Sequence, residues 1–177
     1  MTEIRRGVPA DIPGIAAIYG RILTEEEAGR ASVGWIRGVY PTESDALEAL
    51  EAGELFVLTE DGVLAAAARI NQTQMPVYSQ APWAWPEAPA EQVMVLHTLA
   101  VDPLRKGRGH GAAFVDFYER YAWERGCPYL RMDTNEKNAA ARALYARLGY
   151  REAGIVPCEF NSIPGVRLVC LEKRLEG

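Results

Sequence analysis

The tightest constraint on this chain lies between residues 93 and 125, where a strand, a basic glycine-rich connection and a helix follow one another. Val93 to Val101 is an apolar run of strand length. Gly109 to Arg125 carries a helical period, with Phe114, Phe117, Tyr118 and Tyr121 facing inward. Between them, Gly107, Gly109 and Gly111 alternate with Arg108 and His110. Glycines lack the Cβ that keeps a ligand away from the main chain, so successive N–H groups can turn toward one point. The positive end of the following helix aims at that point, and Arg105, Lys106 and Arg108 surround it with cations. A pyrophosphate is the natural occupant of such a cradle.

Spacing decides among the glycine-rich loops. A Walker loop needs Gly-Lys followed by Ser or Thr, and Gly107-Arg108 supplies neither. Gly107-x-Gly109-x-x-Ala112 matches the dinucleotide fingerprint, and Asp133, at the end of the next strand, sits near the place of a ribose-binding acid. In that fingerprint the first glycine follows its strand almost directly. Here Asp102, Pro103, Leu104, Arg105 and Lys106 intervene, and the tight turn is lost. An NAD(P)-dependent oxidoreductase is therefore the enzyme-class alternative rather than the main reading.

The remaining chain organises around this segment. Ile4 to Arg6 reads as a first strand, and Asp11 as the cap of a helix with Ile12, Ile15, Ile18 or Tyr19, and Ile22 on one face. Ala31 to Tyr40 reads as partly helical. Thr42 or Ser44 caps a second helix through Ala46, Leu47 and Leu50, which ends at Gly53. Leu55 to Leu58 and Val63 to Ile70 make a hairpin around Glu60-Asp61-Gly62. Asn71 to Gln92 holds Pro76, Pro82, Pro86 and Pro89 with Trp83 and Trp85, and has no period; a compact domain seldom keeps so long a loop without a use. Tyr129 to Met132 is a strand, Asn138 to Leu148 a helix ending at Gly149, and Tyr150 to Val156 and Val166 to Leu175 two more strands. The expectation is one α+β domain over residues 1–177, with a central mixed, mostly antiparallel twisted sheet.

Lys106-Gly107-Arg108-Gly109-His110-Gly111, following Leu99-Ala100-Val101-Asp102-Pro103, resembles the cofactor loop of the GNAT superfamily of N-acetyltransferases. Lys106 departs from the Gln or Arg usual at the first position. Asn138-x-x-Ala141-x-x-x-Tyr145-x-x-x-Gly149-Tyr150 is similar to the family's later motif, and Asn138 and Tyr145, two turns apart, share a helix face. The strand His97-Thr98-Leu99-Ala100-Val101 is similar to that of arylalkylamine N-acetyltransferases. The match is specific from Val93 to Tyr150 and topological elsewhere.

The resemblance implies six or seven strands flanked by about four helices, with a V-shaped splay between the fourth and fifth strands. It implies acetyl-CoA, or another acyl-CoA, as cofactor. Pantetheine would pair with the main chain of Leu99, Ala100 and Val101, and the pyrophosphate would rest on Lys106, Gly107, Arg108, Gly109, His110, Gly111 and Ala112. Asn138, Ala141 and Tyr145 would line the thioester end. Tyr145 is the expected acid and His97 the expected base, with Glu91 and Glu159 as fallback bases. An acceptor site built from Trp35, Tyr40, Trp83 and Trp85 would receive a primary amine of a small molecule or a peptide. A CoA-binding sensor of the same fold that has lost the chemistry is the non-enzyme alternative.

Composition limits the partners. A formal net charge of -5 opposes broad binding to nucleic acid or an anionic membrane. No apolar stretch suits a bilayer, and Met1 to Arg6 lacks a signal peptide's apolar core. Cys127, Cys158 and Cys170 are too scattered for a disulfide framework, no His/Cys/Asp/Glu spacing suits a metal, and Cys158 reads as an inert thiol. A cytoplasmic monomer or homodimer is expected.

Overall fold

A computed structural model describes all 177 residues. One seven-stranded sheet runs in the order β1-β2-β3-β4-β5-β7-β6, with strands β1 (Thr2–Arg6), β2 (Leu55–Glu60), β3 (Val63–Asn71), β4 (Val93–Val101), β5 (Tyr129–Asn135), β6 (Arg151–Phe160) and β7 (Ile163–Arg174). Every neighbouring pair is antiparallel except β4 and β5, which are parallel. Four helices flank it: α1 (Ile12–Glu27), α2 (Glu43–Glu51), α3 (His110–Glu124) and α4 (Ala139–Arg147).

Strand alternation sorts the core into two faces. Leu55, Val57, Ala67 and Ala100 meet Ile12, Ile15, Ile18, Tyr19 and Ile22 of α1 and Ala46 and Ala49 of α2. Phe56, Leu58, Ala66, Ala68, Met94 and Leu96 meet Phe114, Val115 and Tyr118 of α3 on the opposite face. The β2–β3 turn is the two-residue Asp61-Gly62, and both residues take the positive φ that a tight hairpin requires (50° and 78°). Thr42 closes a capping box with Asp45 at the start of α2.

Two local expectations are corrected. Ala31 to Tyr40 forms no helix; it is an irregular segment closed by an isolated Ile36–Tyr40 bridge. The acidic end of α1 holds it open, because Glu26 accepts the N–H groups of Val33 (3.0 Å) and Gly34 (2.8 Å) that a helix would have used internally. Asp11 does not cap α1 through its side chain; its carboxylate accepts the Val8 N–H at 2.8 Å and pairs with Arg5, fixing the short 3-10 turn Pro9–Asp11 ahead of the helix. No helix is long and apolar enough to cross a membrane, and no group of three His, Cys, Asp or Glu is placed to hold a metal ion.

What positions the site is the short parallel pairing. β4 and β5 are in register only from Val93–Tyr129 to Val95–Arg131 and then diverge. The Tyr118 hydroxyl lies 2.6 Å from the Met94 carbonyl and 3.2 Å from that of Arg131, bridging the two strands where pairing stops. Beyond that point the sheet opens into a V.

Candidate functional site

The V is sharpened by a bulge in β4. Ala67 pairs with Ala100 and Arg69 with His97, so Thr98 and Leu99 together face Ala68 and neither has a register partner. Thr98 sits at φ 53°, a strained conformation for a β-branched residue. The bulge leaves Thr98 and Leu99 without register partners beside the opening.

Two cavities meet there. One, of about 120 Å³, is lined on the α4 side by Leu99, Asn138, Ala141 and Tyr145 and reaches Trp35 and Asn135. The other, of about 300 Å³, opens toward α1, α2 and β3 and is lined by Tyr19, Asp45, Glu48, Arg69, Asn71 and His97 among others. Tyr40, Thr98, Asp133 and Phe160 belong to both. A group in either cavity can therefore touch the same four side chains.

Asp133 is the charged member of that junction. It lies on β5 opposite Cys170 and takes one hydrogen bond, from the Tyr78 hydroxyl at 2.6 Å. Burial pushes its carboxyl up from 3.8 to about 6, and the Tyr78 bond offsets only part of that. Its approach to the cavities leaves it able to take a proton near neutrality. From the sequence alone, Asp133 fits only the dinucleotide scheme. Its partner Tyr78 is 55 residues away in the Trp/Pro-rich loop, so no local pattern pointed to the pair.

His97 does face the larger cavity. Its Nε2 lies 2.6 Å from Asn71 Oδ1. Asn71 is oriented by two other bonds, from its Nδ2 to Glu54 (2.7 Å) and from the Thr73 N–H to its Oδ1 (3.0 Å). Oδ1 only accepts, so His97 carries its proton on Nε2 and leaves Nδ1 as an acceptor. Burial, then the Arg69 guanidinium, lowers its pKa to about 4. His97 is thus a neutral acceptor at physiological pH and a weaker base than Asp133. Glu91 and Glu159 are exposed and line neither cavity.

Tyr145 is 6% exposed and enters the smaller cavity from α4, its ring set edge-on to Tyr150. Burial, then the Asp133 charge, raises its pKa, so the hydroxyl keeps its proton. Asn138 has a structural task as well: its Oδ1 accepts the Ala141 N–H at 3.1 Å as the cap of α4. Trp35 and Tyr40 do reach the cavities, and Trp35 meets both Tyr19 and Tyr40 edge to face. Trp83 and Trp85 do not. Trp83 packs against Tyr78 and over the Arg131 guanidinium, and Trp85 packs against Tyr129. They brace the loop and line neither cavity: Trp83 is buried among Tyr78, Val93, Val95 and Leu168, and its segment is tied to β5 and β7. Cys158 is half-buried and its thiol is pushed up by burial and by Asp133, the opposite of an activated nucleophile.

At the mouth of the V, Asp102 organises the loop. It is buried, accepts the Leu104 N–H, and takes a two-pronged pair from Arg21 (2.9 and 2.8 Å). Lys106, Gly107, Arg108 and Gly109 then stand exposed. Gly107 and Gly109 have φ of 79° and 76°, and a Cβ on either would meet only open space. They are there for their backbone conformation and for what approaches from outside. The first α3 bond runs from Ala113 to Gly109, leaving the N–H groups of His110, Gly111 and Ala112 without helical acceptors. A Cβ on Gly111 would sit 3.1 Å from Leu144, so this glycine lets α3 approach α4. His110 is buried with Nε2 unpartnered, 3.6 Å from Glu60. Glu60 also binds Arg105 (2.8 Å) and Arg108 (2.5 Å), a restraint on the loop's cations supplied from β2 and unseen in the sequence.

Residues 21–150 match the family model of the Acetyltransferase (GNAT) family. The chain belongs to the GNAT acetyltransferases. Acetyl-CoA is the cofactor these enzymes use, and the exposed glycines and free N–H groups of the β4–α3 loop suit its pyrophosphate. Among solved structures, a GNAT-family acetyltransferase from Streptococcus agalactiae 2603 is 27% identical, over 99% of this chain and 96% of that one, with a TM-score of 0.81. The ribosomal-protein-S18-alanine N-acetyltransferase of Escherichia coli is 22% identical over 100% and 97%, TM-score 0.68. The Salmonella typhimurium protein yncA, solved with its cofactor acetyl-CoA, is 17% identical over 99% and 94%, TM-score 0.71. The latter two share the fold. In this GNAT chain the dinucleotide reading gives way: the residues between Val101 and Gly107 form a 3-10 turn, Pro103–Arg105, instead of a tight strand-to-helix turn.

Proposed function

We propose that this GNAT enzyme acetylates the primary amine of a small molecule by direct attack in a ternary complex, with Asp133 as the base and Tyr145 as the acid. One observation carries the reading: the only carboxylate shared by the two cavities has its pKa pushed up to about 6. A base poised near neutrality at the point where two reactants meet is what amine acylation requires. Acetyl-CoA supplies an activated thioester carbonyl.

The chain's own groups then have separate tasks. Asp133 takes the proton of the ammonium, freeing the nitrogen lone pair. The main-chain N–H groups of Thr98 and Leu99, residues without register partners at the bulge, would serve the carbonyl oxygen as charge builds on it. As the N–C bond forms and the C–S bond breaks, Tyr145 gives its proton to the sulfur, and the second proton that the nitrogen loses on becoming an amide returns to the Tyr145 oxygen. His97 offers Nδ1 as an acceptor to the amine and does not titrate in the working range. Main-chain groups of Leu99, Ala100 and Val101 hold pantetheine, and residues 106–112 hold the pyrophosphate.

The larger cavity supports a small acceptor. It is walled by α1, α2, the 31–40 segment and the Phe160–Asn161 turn, and its volume of about 300 Å³ is at the lower end of small-molecule sites. The test is a panel of small amines and short peptides with acetyl-CoA, read by CoA release and by mass spectrometry of products. Acetylated small amines are expected. Tight acetyl-CoA binding with no product from any amine would instead identify a sensor.

A further inference from the structure

We infer that Tyr78 is a positioning residue for the reaction, and that the Trp/Pro-rich segment 71–92 exists to hold its hydroxyl against Asp133. The inference rests on Asp133 being the base.

The geometry is that of a strut. Tyr78 is 1% exposed, and its hydroxyl gives Asp133 its sole protein hydrogen bond, at 2.6 Å on Oδ2. Tyr78 cannot drift, because its own carbonyl accepts the Trp83 indole N–H at 2.7 Å and the two rings meet edge to face. Trp83 lies over the guanidinium of Arg131, 4.3 Å from ring centre. Arg131 is buried on β5, two residues before Asp133, and donates to Gln74 (2.6 Å) and to the Trp85 carbonyl (2.7 Å). The Ala84 N–H is tied to the Glu172 carboxylate on β7 (2.8 and 3.1 Å). The segment is therefore fastened to β5 and β7 on both sides of Tyr78 by bonds to buried charged groups, which are strong and geometrically exacting.

No other group near Asp133 does this work. β4 presents Thr98 and the 31–40 segment Tyr40, whose hydroxyls bond each other. α4 presents Tyr145, while β7 and β6 present the thiols of Cys170 and Cys158. None is a cation. With Tyr78 bound to Oδ2, Oδ1 is left for the substrate ammonium. The tyrosine thus fixes which oxygen receives the proton and favours the ionised carboxylate.

The experiment is the pH dependence of kcat/KM in wild type, Tyr78→Phe, Trp83→Phe and Asp133→Asn. A hydrogen bond to a charged acceptor is worth enough that losing it moves the acidic limb upward by about one pH unit in Tyr78→Phe. The KM for acetyl-CoA should stay within about twofold, because the cofactor lies on the other side of the V. Trp83→Phe, which keeps a ring but loses the N–H, should move the limb in the same direction by less. An unmoved limb in Tyr78→Phe, alongside a limb that disappears in Asp133→Asn, overturns the positioning role alone. A limb that survives in Asp133→Asn overturns the base assignment beneath it. Should Tyr78→Phe lose its cooperative melt, Trp83→Phe decides by the same shift.

Discussion

Placing a carboxylate where Asp133 sits costs stability, and the cost has a pH signature. The folded-state pKa is raised from 3.8 to about 6, so between those values the folded protein binds more protons than the unfolded chain. Stability contributed by this group is then present below about 4 and is lost as pH rises through about 6. About two pH units at ~1.4 kcal/mol each sets an upper bound of about 3 kcal/mol. Asp133 lines both cavities and is only half-buried, which softens the penalty, so about 2 kcal/mol is the working figure. Asp133→Asn removes the charge, keeps the shape and still accepts from Tyr78. Compared with wild type by urea unfolding across pH, the variant should be about equal near pH 4 and about 2 kcal/mol more stable well above 6, or roughly 4–8 °C in Tm. The pH dependence of the difference is decisive, because contributions from other titrating groups cancel. A difference that stays constant across pH, or a less stable variant at high pH, would refute a strained base at the junction.

Three further outcomes follow from the site. Tyr145→Phe should lower kcat by about 100-fold or more while acetyl-CoA affinity stays within about twofold by calorimetry, the pattern of a lost general acid. His97→Ala should raise the KM for the amine yet leave the acidic limb of the rate profile in place, since a group with pKa about 4 is not the one titrating near 6. Gly109→Ala, at φ 76° with open space around the new methyl, should cost about 1–2 kcal/mol in unfolding experiments and raise the acetyl-CoA KM several-fold.

Much of the scaffold was legible in the chain, for reasons that can be named. The β4 strand runs over Val93–Val101 as the apolar run indicates, and α4 runs over Ala139–Arg147, inside the helix read from Asn138 to Leu148. These are features of local period and local capping. Tyr145, Leu99, Asn138 and Ala141 come together because the motif repeats at helical spacing beside one strand. What stayed hidden depends on register and on pairs far apart in sequence. Asp133 reaches the junction of the cavities only because β4 and β5 part after three residue pairs, and its burial against Tyr78 has no local sequence signal. Glu60 reaches Arg105 and Arg108 across 45 and 48 residues. Trp83 and Trp85 fall outside the cavities, which the sequence does not show because aromatic residues in a proline-rich loop carry no direction; the bonds of Arg131 and Glu172 to residues 84 and 85 tie that stretch to β5 and β7. Ala31 to Tyr40 had enough apolar residues for a helix, but the Glu26 carboxylate takes its backbone donors.

The most direct test of the account is the pH profile of kcat/KM for acetyl transfer to one accepted amine, in wild type and Asp133→Asn. The wild-type rate should climb through an acidic limb near pH 6, and Asp133→Asn should lose that limb together with about 100-fold or more of the rate at neutral pH. A variant that keeps both the limb and the rate would contradict Asp133 as the base.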